Sequence, residues 1–482
     1  MNDINAVNDN LSKKNLLQGK SAAFLALGCK VNAYEISAIR QLFEENGCNT
    51  VPFEERADFY VINTCTVTNI ADHKSRQMLH KAKTENPDAC IIAVGCYAQA
   101  YEKELEDDKR VDIVIGNGGK DKIIDIVKSY LEDRKRCHLV GDTVTLEKFD
   151  ELPGAPETEL TRAYIKIQDG CNQFCSYCII PYARGRIRSK SEDKVIEEAR
   201  KLSLSGYREI VLTGIHISSY GMETYSAKEQ FALRPEHISC AGDIPFVHLI
   251  MELDKIEGIE RIRLGSLEPR IVTEEFVSAL LKTKLCPSFH LSLQSGCDET
   301  LKRMNRRYSS SDYEKCVGIL RHYYENPAIT TDIIVGFPGE TEEEFSASYE
   351  FAKKIGFSRI HVFKYSSREG TKAALMDGQV KPEIKEERSH RLIKLGLSMA
   401  EKYERGFLGS IVRVLFEDEA SIEYNGNVYR CMRGHTERYV MVYVPLMDTD
   451  ADCEAGSYQN RFADVKASDI IHGGGLLGNL VE

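Results

Sequence analysis

The chain of 482 residues has no long apolar run and no excess of positive charge. No stretch approaches the ~18 consecutive apolar residues that cross a membrane, so no membrane association is predicted. The opening MNDINAVNDNLSKKNLLQGK contains no apolar segment of the kind that directs secretion. It is polar, rich in Asn, Asp and Lys, and residues 1–19 read as a disordered leader. With 63 Lys and Arg against 74 Asp and Glu, the net charge is −11. No global basic field draws in nucleic acid, and any such contact has to come from local patches. Cysteine, by contrast, is plentiful at 15 residues. A reducing, cytoplasmic setting is predicted, and there cysteine wealth points to metal or redox chemistry rather than disulfides. At ~150 residues per domain the length suggests about three domains.

Three cysteines, Cys171, Cys175 and Cys178, share one short polar loop at C-x3-C-x2-C spacing. So tight a loop can aim three thiolates at one small object. Thiolates are soft ligands that favour iron–sulfur clusters and zinc. Three ligands leave one metal of a cubane open, as a catalytic site requires. The alternative is a zinc site lacking its fourth ligand, or a disulfide with a spare thiol. Zinc motifs usually pair two C-x2-C units, and no second unit follows here.

A second set is dispersed. Short apolar runs at 22–27, 58–65, 90–96 and 111–115 alternate with helical stretches at 35–46 and 71–84, the pattern of βαβ units and a parallel sheet. Cys29, Cys65 and Cys96 follow or end the first three runs. They are 36 and 31 residues apart, about one βαβ unit each. All three are therefore expected at the carboxyl ends of parallel strands, where open α/β sheets bind ligands. Three thiols in one register point to a second three-thiolate site; buried small hydrophobes are the alternative. Cys48, Cys90 and Cys137 fit no such register and read as structural.

The amino-terminal domain is placed at 20–132 and a charged, proline-containing linker at 133–156. From Arg162 the βα rhythm resumes, with candidate strands at 163–168, 209–213, 261–265, 289–294, 331–337 and 359–365. Six repeats predict a partial (β/α)6 barrel over 157–390, with chemistry at the strands' carboxyl ends. Polar or small residues stand there: Gly214, Ser266, Glu268, Gln294 and Asp332. Thr341 to Glu344 reads as a capping box. Arg306 and Arg307 read equally as partners for a carboxylate or as a solvated helix face. The basic stretch 182–190 reads as a contact for substrate phosphates or as a solvated loop. The stretch 221–243 has no readable pattern. A long helix is expected from about 381 to 405. Short β-like runs at 409–416, 428–432, 439–444 and 464–465 then suggest a small all-β barrel over 403–470. From Tyr403 onward there are 7 Lys and Arg against 13 Asp and Glu. That acidity is unusual for a nucleic-acid module, yet Arg430, Arg433 and Arg438 with Tyr439 offer a local patch.

The cysteine loop, with Tyr177 before its last cysteine, resembles the signature of radical S-adenosylmethionine enzymes. The resemblance implies a [4Fe-4S] cluster on Cys171, Cys175 and Cys178, with S-adenosylmethionine on the open iron. It also implies that Gly214, Ser266, Glu268, Gln294 and Asp332 hold that cofactor. Leu-Gly-Cys29-Lys-Val-Asn, Asn-Thr-Cys65-Thr-Val-Thr and Val-Gly-Cys96-Tyr-Ala-Gln resemble the amino-terminal domain of methylthiotransferases. This implies a second, auxiliary [4Fe-4S] cluster on Cys29, Cys65 and Cys96. Arg433-Gly-His-Thr-Glu-Arg-Tyr-Val440 resembles a TRAM domain, an RNA-binding module. The order of the three parts is that of methylthiotransferases. Leu212-Thr-Gly-Ile-His216 and Gly434-His-Thr436 look most like the branch that adds a methylthio group to carbon 2 of threonylcarbamoyladenosine beside the tRNA anticodon. Sibling branches act on isopentenyladenosine in tRNA or on a ribosomal-protein aspartate. The implied partners are tRNA, S-adenosylmethionine and an external electron donor. An aromatic C–H offers no acidic proton, so no side chain is expected as general acid or base, and the clusters carry the hard step. Two other readings stand beside this one: a radical enzyme without sulfur transfer, and a non-catalytic zinc-containing RNA-binding protein.

Overall fold

The computed structural model describes residues 16–154, 161–233, 240–446 and 458–481. Residues 1–15 of the expected leader lie outside the described residues. Its end does not behave as a free tail, because Leu17 is fully buried in the first core.

Strands β1 (Ser21–Ala26), β2 (Asn49–Val51), β3 (Phe59–Thr64), β4 (Cys90–Gly95), β5 (Ile113–Ile115) and β6 (Cys137–Leu139) form one all-parallel sheet in the order β2-β1-β3-β4-β5-β6. Every residue of β3 and β4 is buried, as near-continuous apolar strands covered on both faces should be. Alternation divides them between two cores. Phe59, Val61, Ile92 and Val94 join Phe43 on one face, while Tyr60, Ile62, Ile91 and Ala93 join Leu79 on the other. The stretch read as a linker differs from expectation. β6 lies within it and extends the sheet, and the Thr143 hydroxyl donates to the Tyr182 carbonyl at 2.9 Å.

The second α/β region contains β7 (Arg162–Asp169), β8 (Arg188–Ser189), β9 (Glu209–Gly214), β10 (Arg261–Leu264), β11 (Ser288–His290), β12 (Ala328–Val335) and β13 (Arg359–Lys364). These pair as β10-β9-β7-β8 and as β11-β12-β13. Isolated parallel bridges, Ile262 to Leu285 and Leu267 to Leu291, join β10 to the chain around β11. The six parallel strands thus follow one another in chain order as an open, barrel-like core. β8 alone is antiparallel, folding the segment after the cysteine loop back onto the end of β7. Thr341 caps the helix Glu342–Ile355 through a capping box with Glu344, as its sequence predicts.

The helix Pro382–Arg405 packs on β13 and leads into a smaller β region of β14 (Ile411–Tyr424), β15 (Asn427–Thr436), β16 (Met441–Pro445), β17 (Phe462–Ile470) and β18 (Leu476–Leu480). β14 pairs with β15 and β17, β15 with β16, β16 with β18, and β18 with β17, so the ring of pairings closes. Asn425 and Gly426 turn the β14–β15 hairpin, both at positive φ as a tight two-residue turn demands. Among the described residues no helix is long and apolar enough to cross a membrane.

Candidate active site around a buried arginine

The cysteine loop begins where β7 ends. Gly170 has φ +73°, and a Cβ there would lie 1.8 Å from the Arg186 carbonyl oxygen, so only glycine permits this turn. The Cys171 amide donates to the Gly185 carbonyl at 3.1 Å and the Ser176 amide to the Met304 carbonyl at 3.0 Å. Asn305 donates to the Phe174 carbonyl at 2.9 Å, fixing a residue that is itself at positive φ. Burial, with a smaller contribution from Cys175, pushes the Cys178 thiol up to about 12. Arg306 donates to Cys175 Sγ at 3.2 Å and brings a cation to the loop.

The dispersed thiols come from three strand ends, as their spacing predicts. Cys29 caps the helix Lys30–Glu45 after β1, Cys65 follows β3, and Cys96 opens the short helix Cys96–Ala100 after β4. Gly28 has φ +96°, and a Cβ there would stand 2.5 Å from Cys65 Sγ, so the Cys29 turn lies directly against the Cys65 thiol. Cys29 is exposed, whereas Cys65 and Cys96 are buried. Among the described residues no three His, Cys, Asp or Glu side chains converge on a single-ion site.

Between the two sets stands Arg184, at the end of the helix Ile180–Arg184 that follows the cysteine loop. It is fully buried. Its Nε donates to Cys96 Sγ at 3.2 Å, and Asn117 donates to the same sulfur at 3.6 Å. Its remaining donors reach Glu35 at 3.0 Å, Asp169 at 3.1 Å and Asn32 at 2.6 Å. Lys166 bridges Glu35 at 2.7 Å and Asp169 at 2.6 Å, and Lys120 lies 3.3 Å from Glu35. With Arg188, 3.6 Å from Asp169, four buried cations therefore face two buried carboxylates. Burial would raise the Glu35 carboxyl, but Arg184, Lys120 and Lys166 hold it well below the usual range. The surplus positive charge lies against Cys96; burial pushes that thiol up, and Arg184 opposes the rise. This donor set fits a thiolate that ligates a metal cluster. Cys178 and Cys96 are also near enough for their charges to interact.

This arrangement corrects the reading of 182–190 as a phosphate-binding stretch. Arg184, Arg188 and Lys190 are all buried. Arg188 lies 3.6 Å from Asp169, and Lys190 pairs with Glu198. Of the four basic side chains in 182–190 only Arg186 is exposed, with its guanidinium 4.7 Å from the Phe174 ring centre. Glu35, Asn117 and Arg184 as a unit were not read from the sequence, since nothing in their spacing links them.

The strand-end residues are spread along the rim of the barrel-like core. Glu268 is buried between Arg270 and Arg306, each at 2.9 Å, and so connects to Cys175 through Arg306. Arg306 is thus a carboxylate partner and not a solvated face. Gln294 has φ +69°, and its amide donates to the Asp332 carbonyl at 2.9 Å. Asp332 itself lies 3.3 Å from His290. Gly214 ends β9, where a Cβ would meet the Gln168 carbonyl oxygen at 2.9 Å. Ser266 is exposed after β10. The stretch without readable pattern, of which 234–239 lie outside the described residues, folds onto this rim. Asn172 of the cysteine loop donates to Gln230 at 2.9 Å, and Arg307 stacks over Phe231 at 4.5 Å.

Of the patch expected on the β region, Arg430 and Arg433 stay exposed, while the Tyr439 end meets the core. Tyr439 stacks on His435 at 4.3 Å, and Arg162 and Arg263 lie over its ring at 5.0 and 4.9 Å. Arg261 donates to the His435 carbonyl at 3.0 Å and Arg263 to the Thr436 carbonyl at 2.7 Å. Arg430 pairs with Glu419, Arg433 with Asp418, and Arg438 with Glu437 and the Glu325 carbonyl. The segment 433–440 thus docks the β region on the barrel-like core, and each of the three arginines has an acidic partner.

A family model described as the radical SAM superfamily matches residues 165–352, and one described as uncharacterized protein family UPF0004 matches 21–116. The chain is 41% identical over 424 residues to the threonylcarbamoyladenosine tRNA methylthiotransferase MtaB of Bacillus subtilis, covering 88% of this chain and 90% of that protein. The chain belongs to the radical SAM methylthiotransferases. Family membership brings S-adenosylmethionine and iron–sulfur cofactors with it. A tRNA-2-methylthio-N(6)-dimethylallyladenosine synthase of Finegoldia magna is 31% identical, over 94% of this chain and 93% of that one. Among solved structures, the radical S-adenosylmethionine methyltransferase TsrM of Kitasatospora setae, with cobalamin and a [4Fe-4S] cluster bound, aligns at a TM-score of 0.54 and 12% identity. That alignment covers 74% of this chain and 77% of TsrM, and it is a likeness of fold.

Proposed function

We propose that this protein methylthiolates carbon 2 of N6-threonylcarbamoyladenosine beside the anticodon of tRNA, in the cytoplasm, using two [4Fe-4S] clusters, S-adenosylmethionine and an external electron donor. The observation that carries the reading is the 41% identity to the MtaB protein across nearly the whole of both chains, against 31% to the dimethylallyladenosine enzyme. The two thiol sets on either side of Arg184 support it. Cys171, Cys175 and Cys178 would hold one cluster, and Cys29, Cys65 and Cys96 the other. When bound, these groups supply one-electron reduction, radical formation and the transferred sulfur and methyl.

The chain's own residues have three tasks. Arg306 and Arg184 place a cation at one sulfur of each set, which favours the thiolate form. Hydrogen bonds to cluster sulfurs also tune reduction potentials. The buried network of Glu35, Asp169, Lys166 and Arg184 fixes one set against the other. The rim residues Gly214, Ser266, Glu268, Gln294 and Asp332 surround the S-adenosylmethionine position. The β region, as a TRAM-like module on residues 403–470, meets tRNA with surfaces other than the paired Arg430, Arg433 and Arg438.

Mass spectrometry of tRNA nucleosides from cells with and without the gene tests the reading. Loss of methylthio-threonylcarbamoyladenosine alone is expected. Loss of the isopentenyl counterpart instead would move the protein to the sibling branch, and an unchanged nucleoside profile would contradict tRNA methylthiolation.

A further inference from the structure

One polar cluster of the barrel-like core adjoins the rim residue Asp332 and contains no thiol. Ile360 and Val362 of β13 pack into the core cluster that also holds Leu392 and Met399 of the helix Pro382–Arg405. Arg359 and His361 alternate with them and take the opposite, more open face. In register on that face, His290 stands beside Thr330, Thr330 beside Arg359, and Asp332 beside His361. His290 is hydrogen-bonded to the Thr330 hydroxyl at 2.9 Å and lies 3.3 Å from Asp332, with its ring 6.0 Å from that of His361. Lys30, the residue after Cys29, approaches from the amino-terminal region. Its ammonium lies 5.7 Å from the Tyr164 ring centre and its charge reaches His361.

The charges do not balance. Asp332 is engaged by His290, while among the described residues neither Lys30 nor Arg359 makes a hydrogen bond or ion pair; Glu404 is the acidic group whose charge feels Arg359. A face that carries unpaired cations and imidazoles, open enough to admit a ligand, suits a carboxylate with hydrogen-bonding neighbours. The proposed substrate has such a group, since the threonyl arm on N6 ends in a carboxylate and bears a hydroxyl. The dimethylallyl arm is apolar.

We propose that Lys30, His290 and His361, with Arg359 on the same face, bind the carboxylate and hydroxyl of the substrate's amino-acid arm and so select it over an apolar arm. The inference rests on the function proposed above. Its logic is that of a site built to pair with a polar group. An analogue lacking the group leaves those cations without partners once the arm covers them and is rejected more strongly than its size warrants. Lys30 adjoins Cys29, so the arm is held on the side of the dispersed thiol set.

The test uses the full chain with reconstituted clusters and two tRNAs that differ only in the arm, one with the free carboxylate and one with that carboxyl capped as a methyl amide. The wild type is expected to prefer the free acid by about 10- to 100-fold in kcat/KM, the scale of one charged hydrogen bond. Lys30→Met and Arg359→Met are expected to raise KM for the free-acid tRNA and to erase that preference. His361→Gln, two residues along the same strand, provides a third variant remote from the thiols. Iron content and 5′-deoxyadenosine formation without tRNA are expected to stay at wild-type levels in Arg359→Met and His361→Gln. Retained preference for the free acid in these two variants would overturn the proposal. So would a rise in KM for S-adenosylmethionine rather than for tRNA, which would assign the cluster to the methionyl carboxylate. A wild type active on dimethylallyl tRNA and inactive on the threonylcarbamoyl form would instead overturn the functional reading on which the proposal rests.

Discussion

The two thiol sets of this protein are assembled by opposite routes. Cys171, Cys175 and Cys178 lie within eight residues of one loop, whose turn depends on Gly170 and on hydrogen bonds to Gly185, Met304 and Asn305. Cys29, Cys65 and Cys96 are brought together only when β1, β3 and β4 pair in parallel. The local set inherits its geometry from a few dihedrals. The dispersed set inherits it from a whole sheet and its two cores. Both finish the same way, with a buried guanidinium at one sulfur, Arg306 at Cys175 and Arg184 at Cys96.

The largest effect that separates the sets is on chemistry. Cys171→Ala is expected to abolish cleavage of S-adenosylmethionine and with it all product. Cys65→Ala is expected to spare cleavage, followed as 5′-deoxyadenosine, and to abolish the methylthio product. Product from Cys65→Ala would remove the second set from the reaction.

Next come the glycines. Gly170→Ala forces a Cβ onto backbone that has no room for it, so loss of soluble folded protein or of the loop's iron is expected. Gly28→Ala presses on a side-chain sulfur and is expected to lower iron content while 5′-deoxyadenosine formation persists. Equal damage to both activities from Gly28→Ala would mean that the sets are not separable.

Arg184→Met leaves Glu35 with Lys166 and Lys120 and Asp169 with Lys166 and Arg188, and removes a donor from Cys96. A cost of about 3–5 kcal/mol in denaturant unfolding is expected, the usual scale for breaking a buried ion pair. Arg306→Met is expected to disturb the loop set instead, visible as a changed electron paramagnetic resonance signal with the dispersed set's signal intact.

A smaller effect concerns pH. Burial alone would raise the Glu209 carboxyl, but Arg263, Arg162 and Arg261 hold it below its ordinary value. A depressed carboxylate stabilises the fold above its unfolded pKa and loses that contribution as pH falls toward the folded value. Thermal unfolding followed from neutral pH down to about pH 3 is expected to show this loss, with a flatter profile in Glu209→Gln. The smallest effect is on the surface of the β region. Arg433 and Asp418 are 38% and 48% exposed, so Arg433→Ala is expected to change stability by about 1 kcal/mol or less.

What could be read in advance follows the same division. The cysteine loop was legible because its spacing is local. The sheet positions of Cys29, Cys65 and Cys96 were legible because apolar runs of strand length recur at βαβ spacing. The six parallel strands of the barrel-like core were legible for that reason too, although β11 is shorter and β12 starts earlier than their apolar runs suggested. Long-range charge pairing was not legible. Arg184, Arg188 and Lys190 form a basic run in sequence, and one-dimensional charge density cannot show that Glu35, Asp169 and Glu198 wait on other elements. The docking of Arg438 and Tyr439 was hidden in the same way, because the Glu325 carbonyl and the Arg162 and Arg263 guanidiniums that meet them lie on the core. β18 was missed, since Leu476–Leu480 is short and sits among glycines.

The most direct test of two separate sites is the iron content of the reconstituted full chain. About eight irons are predicted for the wild type, and about four for both Cys171→Ala and Cys65→Ala, with 5′-deoxyadenosine formed only by the second variant. A wild type with about four irons that Cys65→Ala does not reduce would contradict the second cluster and leave a radical enzyme without its own sulfur-transfer site.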